Sequence, residues 1–219
     1  MEKTIAILIY IHAGFGGIAL FAGLISIIST KGKKIHKKFG LLFFYSMMFS
    51  GITAMIVSIS PKHESPFLFA IGIFSLYFIL TGKRALNFKN ETANLKIDKL
   101  ISIIMIITGF LMISLPILLT KSINIILVVF AIVGIVFSVR DLLLFKNPEH
   151  LKKGWLKLHL GKMIGGYISA TTAFVVVNEF FPSFYGWFAP GIIGGFIITF
   201  WMMKINKRNP KNRVFAINF

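Results

Sequence analysis

Few side chains in this sequence of 219 residues can do chemistry near neutral pH. There are five histidines, seven acidic residues and 24 lysines and arginines, but no cysteine. The missing thiols exclude disulfides, thiolate metal centres, iron–sulfur clusters and covalently attached haem. Most weight falls on groups set in or beside long apolar runs, where an ionisable side chain is costly and marks a functional candidate. His12 stands alone in such a run. It acts there either as a ligand or proton carrier, or as a histidine hydrogen-bonded to a neighbouring helix. A larger set comprises His36, Arg84, Asp98, Arg140, Asp141, His159 and Lys162, which converge in depth at one edge of their apolar runs. The lysine and arginines there suit snorkelling to the interface, and Asp98 and Asp141 suit partnership with those cations. Asp141 stands out because Leu142, Leu143, Leu144 and Phe145 continue the apolar run beyond it.

Three kinds of chemistry follow from this set. His36 and His159, on different helices at similar depth, would ligate the iron of a haem b from its two faces, with Lys37, Lys38 and Lys162 near the propionates. The pattern of multi-haem membrane cytochromes, two histidines about four turns apart on one helix, is absent. Met47, Met48, Met55 and Met163 would suit a soft metal such as copper, but methionine is also ordinary core filler. For hydrolysis there is no Gly-x-Ser-x-Gly, no His-Glu-x-x-His and no phosphate-binding glycine loop. His63-Glu64 sits in a short polar link and reads as solvated. A membrane enzyme acting on lipid or prenyl substrates would have to assemble its site from separate helices.

Composition fixes the elements that must position these residues. The chain is 56% apolar and 14% charged, with a mean hydropathy of +0.83, whereas a soluble domain carries about 25% charge. A soluble globular protein is excluded, because its surface could not hide this much apolar side chain. A helix crosses the hydrocarbon core with about 20 apolar residues. Seven charge-free windows approach or exceed that length: Thr4 to Thr30, Phe39 to Pro61, Ser65 to Gly82, Leu100 to Thr120, Ser122 to Val139, Met163 to Asn178 and Phe180 to Met203. The sixth is short, and Pro182 limits extension past its far end, so that helix is expected to begin near Trp155. The fifth is expected to run past Arg140-Asp141. Backbone groups in lipid must be satisfied within the segment, which leaves helix as the form for these windows. The expectation is an all-α integral membrane bundle of seven transmembrane helices in one domain, with spans over 5–29, 36–60, 66–84, 99–120, 122–145, 155–180 and 185–204.

Charge then orients the bundle. With seven spans, 21 of the 24 lysines and arginines fall on one side and only Lys3, Lys62 and Lys121 on the other. The formal net charge of +17 is therefore a topology signal of the inside-positive kind. It places the amino terminus outside and the carboxyl terminus in the cytoplasm. Nucleic acid is not the expected partner of this charge. The lipid bilayer is, with anionic lipids at the cytoplasmic face. Trp155, Trp187 and Trp201 fall near predicted helix ends, as interfacial aromatics do. The first helix lacks the cleavage site of a signal peptide and has too long an uncharged run, so it is expected to stay. The segment Asn206 to Arg213, with Pro210, is expected to be mobile, and Pro116 to kink or stop the fourth helix.

Two stripes show where helices approach. His12, Gly16, Ala19, Gly23 and Ser26 share one face of the first helix, and Gly161, Gly165, Ser169 and Thr172 share one face of the sixth. Small residues at this spacing let backbones approach closely in lipid. The alternative use of such a groove is to hold a flat cofactor or lipid-like substrate. Helices one to three and five to seven share an orientation, and each triplet has a lysine-bearing loop leading into a histidine: Lys33-Lys34-Ile35-His36 and Lys157-Leu158-His159. This admits a three-plus-one-plus-three pseudo-repeat of the kind found in some small transporters.

Several runs also carry a resemblance. They are H-A-G-F-G-G-I-A-L-F-A-G-L-I, then K-G-K-K-I-H-K-K-F-G-L-L-F-F-Y-S-M-M, Tyr77 with Thr81-Gly82-Lys83-Arg84, and W-L-K-L-H-L-G-K-M-I-G-G-Y-I-S-A-T-T-A-F-V-V-V-N. Together they resemble a family of bacterial multi-pass membrane proteins catalogued as a domain of unknown function. Members of that family tend to carry arginine where Lys37 and Lys162 stand here, a change that keeps the charge but loses a bidentate donor. The resemblance marks His12, His36, Gly40, His159, Lys162 and Met163 as motif positions and implies no activity. The leading expectation is a transport or small-ligand-binding membrane protein with a polar pocket near the cytoplasmic side. The others are a haem- or quinone-linked redox protein using His36 and His159, and a membrane enzyme or assembly factor.

Overall fold

With no water to bond exposed N–H and C=O groups, apolar runs of this length close their backbone bonds internally. The computed structural model describes residues 2–90, 93–181 and 185–208. Glu91, Pro182 and Pro210, with the rest of the tail from residue 209, lie outside them. Among the described residues the chain is all-α: α1 (Glu2–Ile28), α2 (Lys34–Ser58), α3 (Pro66–Arg84), α4 (Lys96–Thr120), α5 (Ile125–Leu144), α6 (Pro148–Val177) and α7 (Tyr185–Arg208), with a 3-10 turn, Ala85–Lys89, continuing α3. All seven helices are long and apolar enough to cross a bilayer. Phe21, Phe110 and Phe196 lie more than 60% exposed on the outer surface, which suits hydrocarbon rather than water. The chain is a multi-pass membrane protein.

The helix starts follow from local chemistry. Ser65, Asn124 and Asn147 each turn a side-chain oxygen onto a backbone N–H three residues on, at Leu68, Leu127 and His150, which satisfies one of the donors a helix leaves open. Pro66 and Pro148 follow two of these caps at the first helical position, where a missing N–H costs nothing. The Asn147-Pro148 pair starts α6 seven residues earlier than Trp155, so its first two turns are polar, carrying Glu149, Lys152 and Lys153. Helix α5 does run past Arg140 and Asp141, ending at Leu144. Pro116 is carried inside α4, which continues to Thr120 and closes on Lys121 in the left-handed region at φ 52°.

Packing centres on α3 and α6. Helix α3 lies against α2, α4 and α6, while α1 pairs with α2, α4 with α5, and α7 leans on α6. One apolar cluster joins α3 to the α4–α5 hairpin through Phe74, Phe78, Met105, Met112, Leu127 and Ala131. Another joins α1, α2 and α3 through Ala19, Ala22, Phe43, Met47 and Ile79. A third, of Ala85, Phe88, Phe145 and Leu151, closes one end of the bundle beside the 3-10 turn. Here Lys31 donates to the carbonyls of Ser26, at 3.1 Å, and of Ile27, and its ammonium lies 4.0 Å from the Trp201 ring of α7. Burial, and then the charge of Lys204, hold the Lys31 pKa down at about 8. The two helix triplets do not pack alike, since α1 and α2 make the most extensive contact in the bundle whereas α5 and α6 barely touch.

Because the chain has no cysteine, single cysteines report position without background. Lys33→Cys and Lys146→Cys lie at one end of the bundle, His63→Cys and Ser122→Cys at the other. A membrane-impermeant maleimide should label the first two in sealed vesicles of one orientation and the second two in vesicles of the opposite orientation. Any one of the four labelling with the wrong group would mean that a span is miscounted.

Candidate functional site

The Lys162 side chain on α6 is 5% exposed, and an ammonium so placed needs a counter-charge and full hydrogen bonding. It finds both. Its Nζ lies 2.6 Å from Oδ2 of Asp141 on α5 and donates to the hydroxyl of Tyr77 on α3. Tyr77 in turn donates to the same Oδ2 at 2.6 Å. The rings of Tyr77, Phe137 and Phe78 stand 4.3, 5.2 and 5.5 Å from the ammonium, presenting the electron-rich faces that stabilise a cation. Three helices therefore meet at one charge. Close approach of α3 to α6 makes this reach possible: a methyl at Gly82 would lie 3.0 Å from both Lys162 Cβ and the Met163 amide nitrogen.

A second ion pair sits one to two turns nearer the lysine-rich end. Arg84 on α3 grips Asp98 on α4 with two parallel bonds, Nε to Oδ1 and Nη2 to Oδ2, both 2.7 Å. This fork geometry is the strong form of the interaction. The Asp98 side chain is 1% exposed and that of Arg84 24%, so the pair reaches from the interior to the bundle's end. Between the two ion pairs lies a cavity of about 10 Å³ lined by Thr81, Ala85, Phe88, Asp98, Asp141, Phe145, Leu158 and Lys162. That is about the room one water needs. One turn deeper, Ser102 and Ser138 are fully buried and their hydroxyls have no hydrogen-bond partner. Ser102 follows Asp98 on α4 and Ser138 precedes Asp141 on α5, close to the Tyr77 hydroxyl.

The histidines lie elsewhere, and each bonds a backbone carbonyl through Nδ1. His12 reaches Ser50 O at 2.9 Å, His36 reaches Ser26 O at 3.0 Å, and His159 reaches Gly82 O at 2.8 Å. The first two form reciprocal clamps across α1 and α2. Ser50 Oγ lies 3.4 Å from where a Gly16 methyl would be, and Ser26 Oγ 3.2 Å from the same point at Gly40. Each histidine and the glycine four residues on thus share a face that receives a serine of the other helix. The first stripe lies in this contact, with Ala19 fully buried and Gly23 against Tyr167 and Phe43. In the second stripe, Ser169 bonds Ser75 of α3 at 2.6 Å, Gly165 faces Phe78, and Gly161 faces Met202 of α7.

Of the residues singled out from sequence, Arg84, Asp98, Asp141 and Lys162 come together. Arg140 lies near enough to Lys162 to act on its charge, while His12, His36 and His159 stand outside the cavity lining. Met47, Met48 and Met163 pack in one apolar cluster and Met55 packs on Gly72. Among the described residues no three histidine, aspartate or glutamate side chains group closely enough to hold a metal. Tyr77, Thr81, Ser102 and Ser138 were not site candidates from sequence. Their signal is helical spacing: Tyr77, Thr81 and Arg84 at i, i+4 and i+7, Asp98 with Ser102 at i+4, and Ser138 with Asp141 at i+3. The fold and this centre define a multi-pass membrane protein with a buried two-pair charge network at one end. No family model, curated protein or solved structure matches the chain.

Removing one partner of a buried pair strands the other charge, at a cost of about 3–5 kcal/mol. Lys162→Met should therefore lower the thermal unfolding midpoint sharply, and adding Asp141→Leu should recover much of the loss. Tryptophan fluorescence in detergent would follow this double-mutant cycle. Additive losses would show that the pair does not couple. Gly82→Ala should cost about 1–3 kcal/mol by forcing the helices apart, whereas Gly14→Ala, with nothing within 4 Å, should be silent as a packing control.

Proposed function

We propose that this protein is a transport or small-ligand-binding protein of a bacterial cytoplasmic membrane, with its polar pocket at the cytoplasmic end of the bundle. The lysine-rich loops face the cytoplasm and its anionic lipids, and the amino terminus faces outside. The observation that carries the reading is the cavity between the Arg84–Asp98 and Lys162–Asp141 pairs. A purely structural ion pair would be better packed without a space at its side, and hydrophobic residues of similar volume often replace such a pair without loss. Polar side chains converging on a void within membrane-spanning helices mark substrate and ion pathways.

In this conformation the cavity has room for about 10 Å³, so a transport or binding cycle has to enlarge it. Thr81→Cys and Leu158→Cys in the cysteine-free chain test that directly. A small water-soluble methanethiosulfonate should modify both from the lysine-rich side of the membrane, while Leu127→Cys, in the apolar cluster toward the other end, stays unmodified. Cysteines at 81 and 158 that resist the reagent from both sides would sink the pocket reading.

The redox reading retains one observation in its favour. Histidines that ligate a metal donate their other ring nitrogen to a carbonyl or carboxylate, and both His36 and His159 bond carbonyls through Nδ1, which leaves Nε2 for a ligand. A reduced-minus-oxidised spectrum of protein expressed with haem precursor decides it. A Soret band lost in His36→Ala or His159→Ala supports haem, and a blank spectrum removes it.

A further inference from the structure

The pocket reading leaves the bound species open, and the site itself restricts it. A cavity of about 10 Å³ holds one water and no organic ligand. We propose that the species exchanged here is a proton, bound by Asp141 and delivered from the lysine-rich end through a single cavity water. This rests on the reading above that the cavity opens to that end.

The groups that face the cavity or lie beside it are Tyr77, Thr81 and Arg84 on α3, Asp98 on α4, Arg140 and Asp141 on α5, and His159 and Lys162 on α6. Arg84 and Arg140 are guanidinium groups that do not give up their protons, and Lys162 and Tyr77 both act as donors to Asp141 here. His159 stands outside the lining with Nδ1 engaged by the Gly82 carbonyl at 2.8 Å. That leaves two carboxylates. Both oxygens of Asp98 are occupied by a guanidinium fork, which does not give up its own protons. Asp141 is held differently. Lys162 and Tyr77 both bond Oδ2, and Asp141 itself lines the cavity.

The step balances simply. A hydronium formed in the cavity gives its proton to the Asp141 carboxylate, an O–H bond forms, and water remains. The carboxylate becomes neutral, Lys162 keeps its ammonium protons, and the site gains one positive charge. That ammonium retains the Tyr77 oxygen and the surrounding aromatic faces. Deeper along α4 and α5, the unpartnered hydroxyls of Ser102 and Ser138 extend the polar track by one turn. Beyond them Met105 packs on Gly134, and Met112, Leu127, Phe74 and Phe130 fill the space toward the other end. Loading is therefore one-sided: the proton reaches the interior from the lysine-rich end and meets an apolar plug.

Infrared difference spectroscopy of the full chain in proteoliposomes, stepped in pH, reads this directly. The wild type should show a protonated-carboxyl stretch on acidification that shifts in D2O. The band should be lost in Asp141→Asn and retained in Glu149→Gln. Asp141→Glu, which keeps a carboxyl should the asparagine variant fail to fold, should retain a band at a changed frequency. In vesicles of uniform orientation the band should follow the pH on the lysine-rich side alone. A band that survives Asp141→Asn, that is absent from the wild type, or that follows pH from the opposite side would overturn the proposal. If Thr81→Cys is modified but no carboxyl band appears, the pocket stands and the proton does not. If neither is seen, both fail.

Discussion

An ammonium buried inside a membrane bundle is costly unless charge and hydrogen bonds meet it where it sits. Lys162 imposes that demand here. Meeting it requires α5 to bring Asp141 and α3 to bring Tyr77 to the same atom-scale position. It also requires α3 and α6 to touch backbone to backbone at Gly82. The third apolar cluster, with Phe88 from the 3-10 turn and Phe145 just past α5, then closes the end of the bundle over the charges. Position 82, the 3-10 turn and the overrun of α5 past its charged pair all lie around this one buried charge.

The same physics, without a charge, organises the α1–α2 hairpin. Apolar surface offers little drive for association when the solvent is also apolar, so contact area and interhelical hydrogen bonds must supply it. His12 with Gly16 receives Ser50, and His36 with Gly40 receives Ser26. Each clamp closes one end of the most extensive helix contact in the molecule. The small residues between them, Ala19 and Gly23, let the backbones come together. Histidine suits the task because neutral imidazole can donate at Nδ1 while its ring fills space beside a glycine.

The spans were legible because charge-free runs of membrane length leave little freedom, and the overrun of α5 was legible from the leucines after Asp141. The start of α6 is marked in the sequence by Asn147-Pro148, a capping signal that the apolar run alone does not carry. In the site, Asp98, Arg84, Asp141 and Lys162 all stood among the candidates. Their pairing did not, since the azimuth of α5 relative to α6 is fixed by tertiary packing and not by local spacing. Ser102 and Ser138 were invisible for another reason. A serine in a membrane helix ordinarily bonds its own preceding turn, as Ser75 and Thr81 do here, and only the structure shows that these two do not.

The weak contact between α5 and α6 gives the Asp141–Lys162 pair more leverage than its two side chains suggest. Helix α5 packs mainly on α4 and only lightly on α3, so the α4–α5 hairpin is joined to the rest of the bundle by two kinds of contact. One is apolar packing, with α3 and, around Phe145, with the 3-10 turn and α6; the other is the pair of salt bridges, Arg84–Asp98 from α4 and Lys162–Asp141 from α5. The first bridge is permanent, because guanidinium stays charged and both carboxylate oxygens are held. The second depends on the charge of Asp141. Neutralising that carboxylate removes most of the attraction across an interface with little packing of its own, while the α4 anchor and the apolar cluster remain as a pivot. The same charge therefore both draws α5 toward α6 and sets how firmly the two are held.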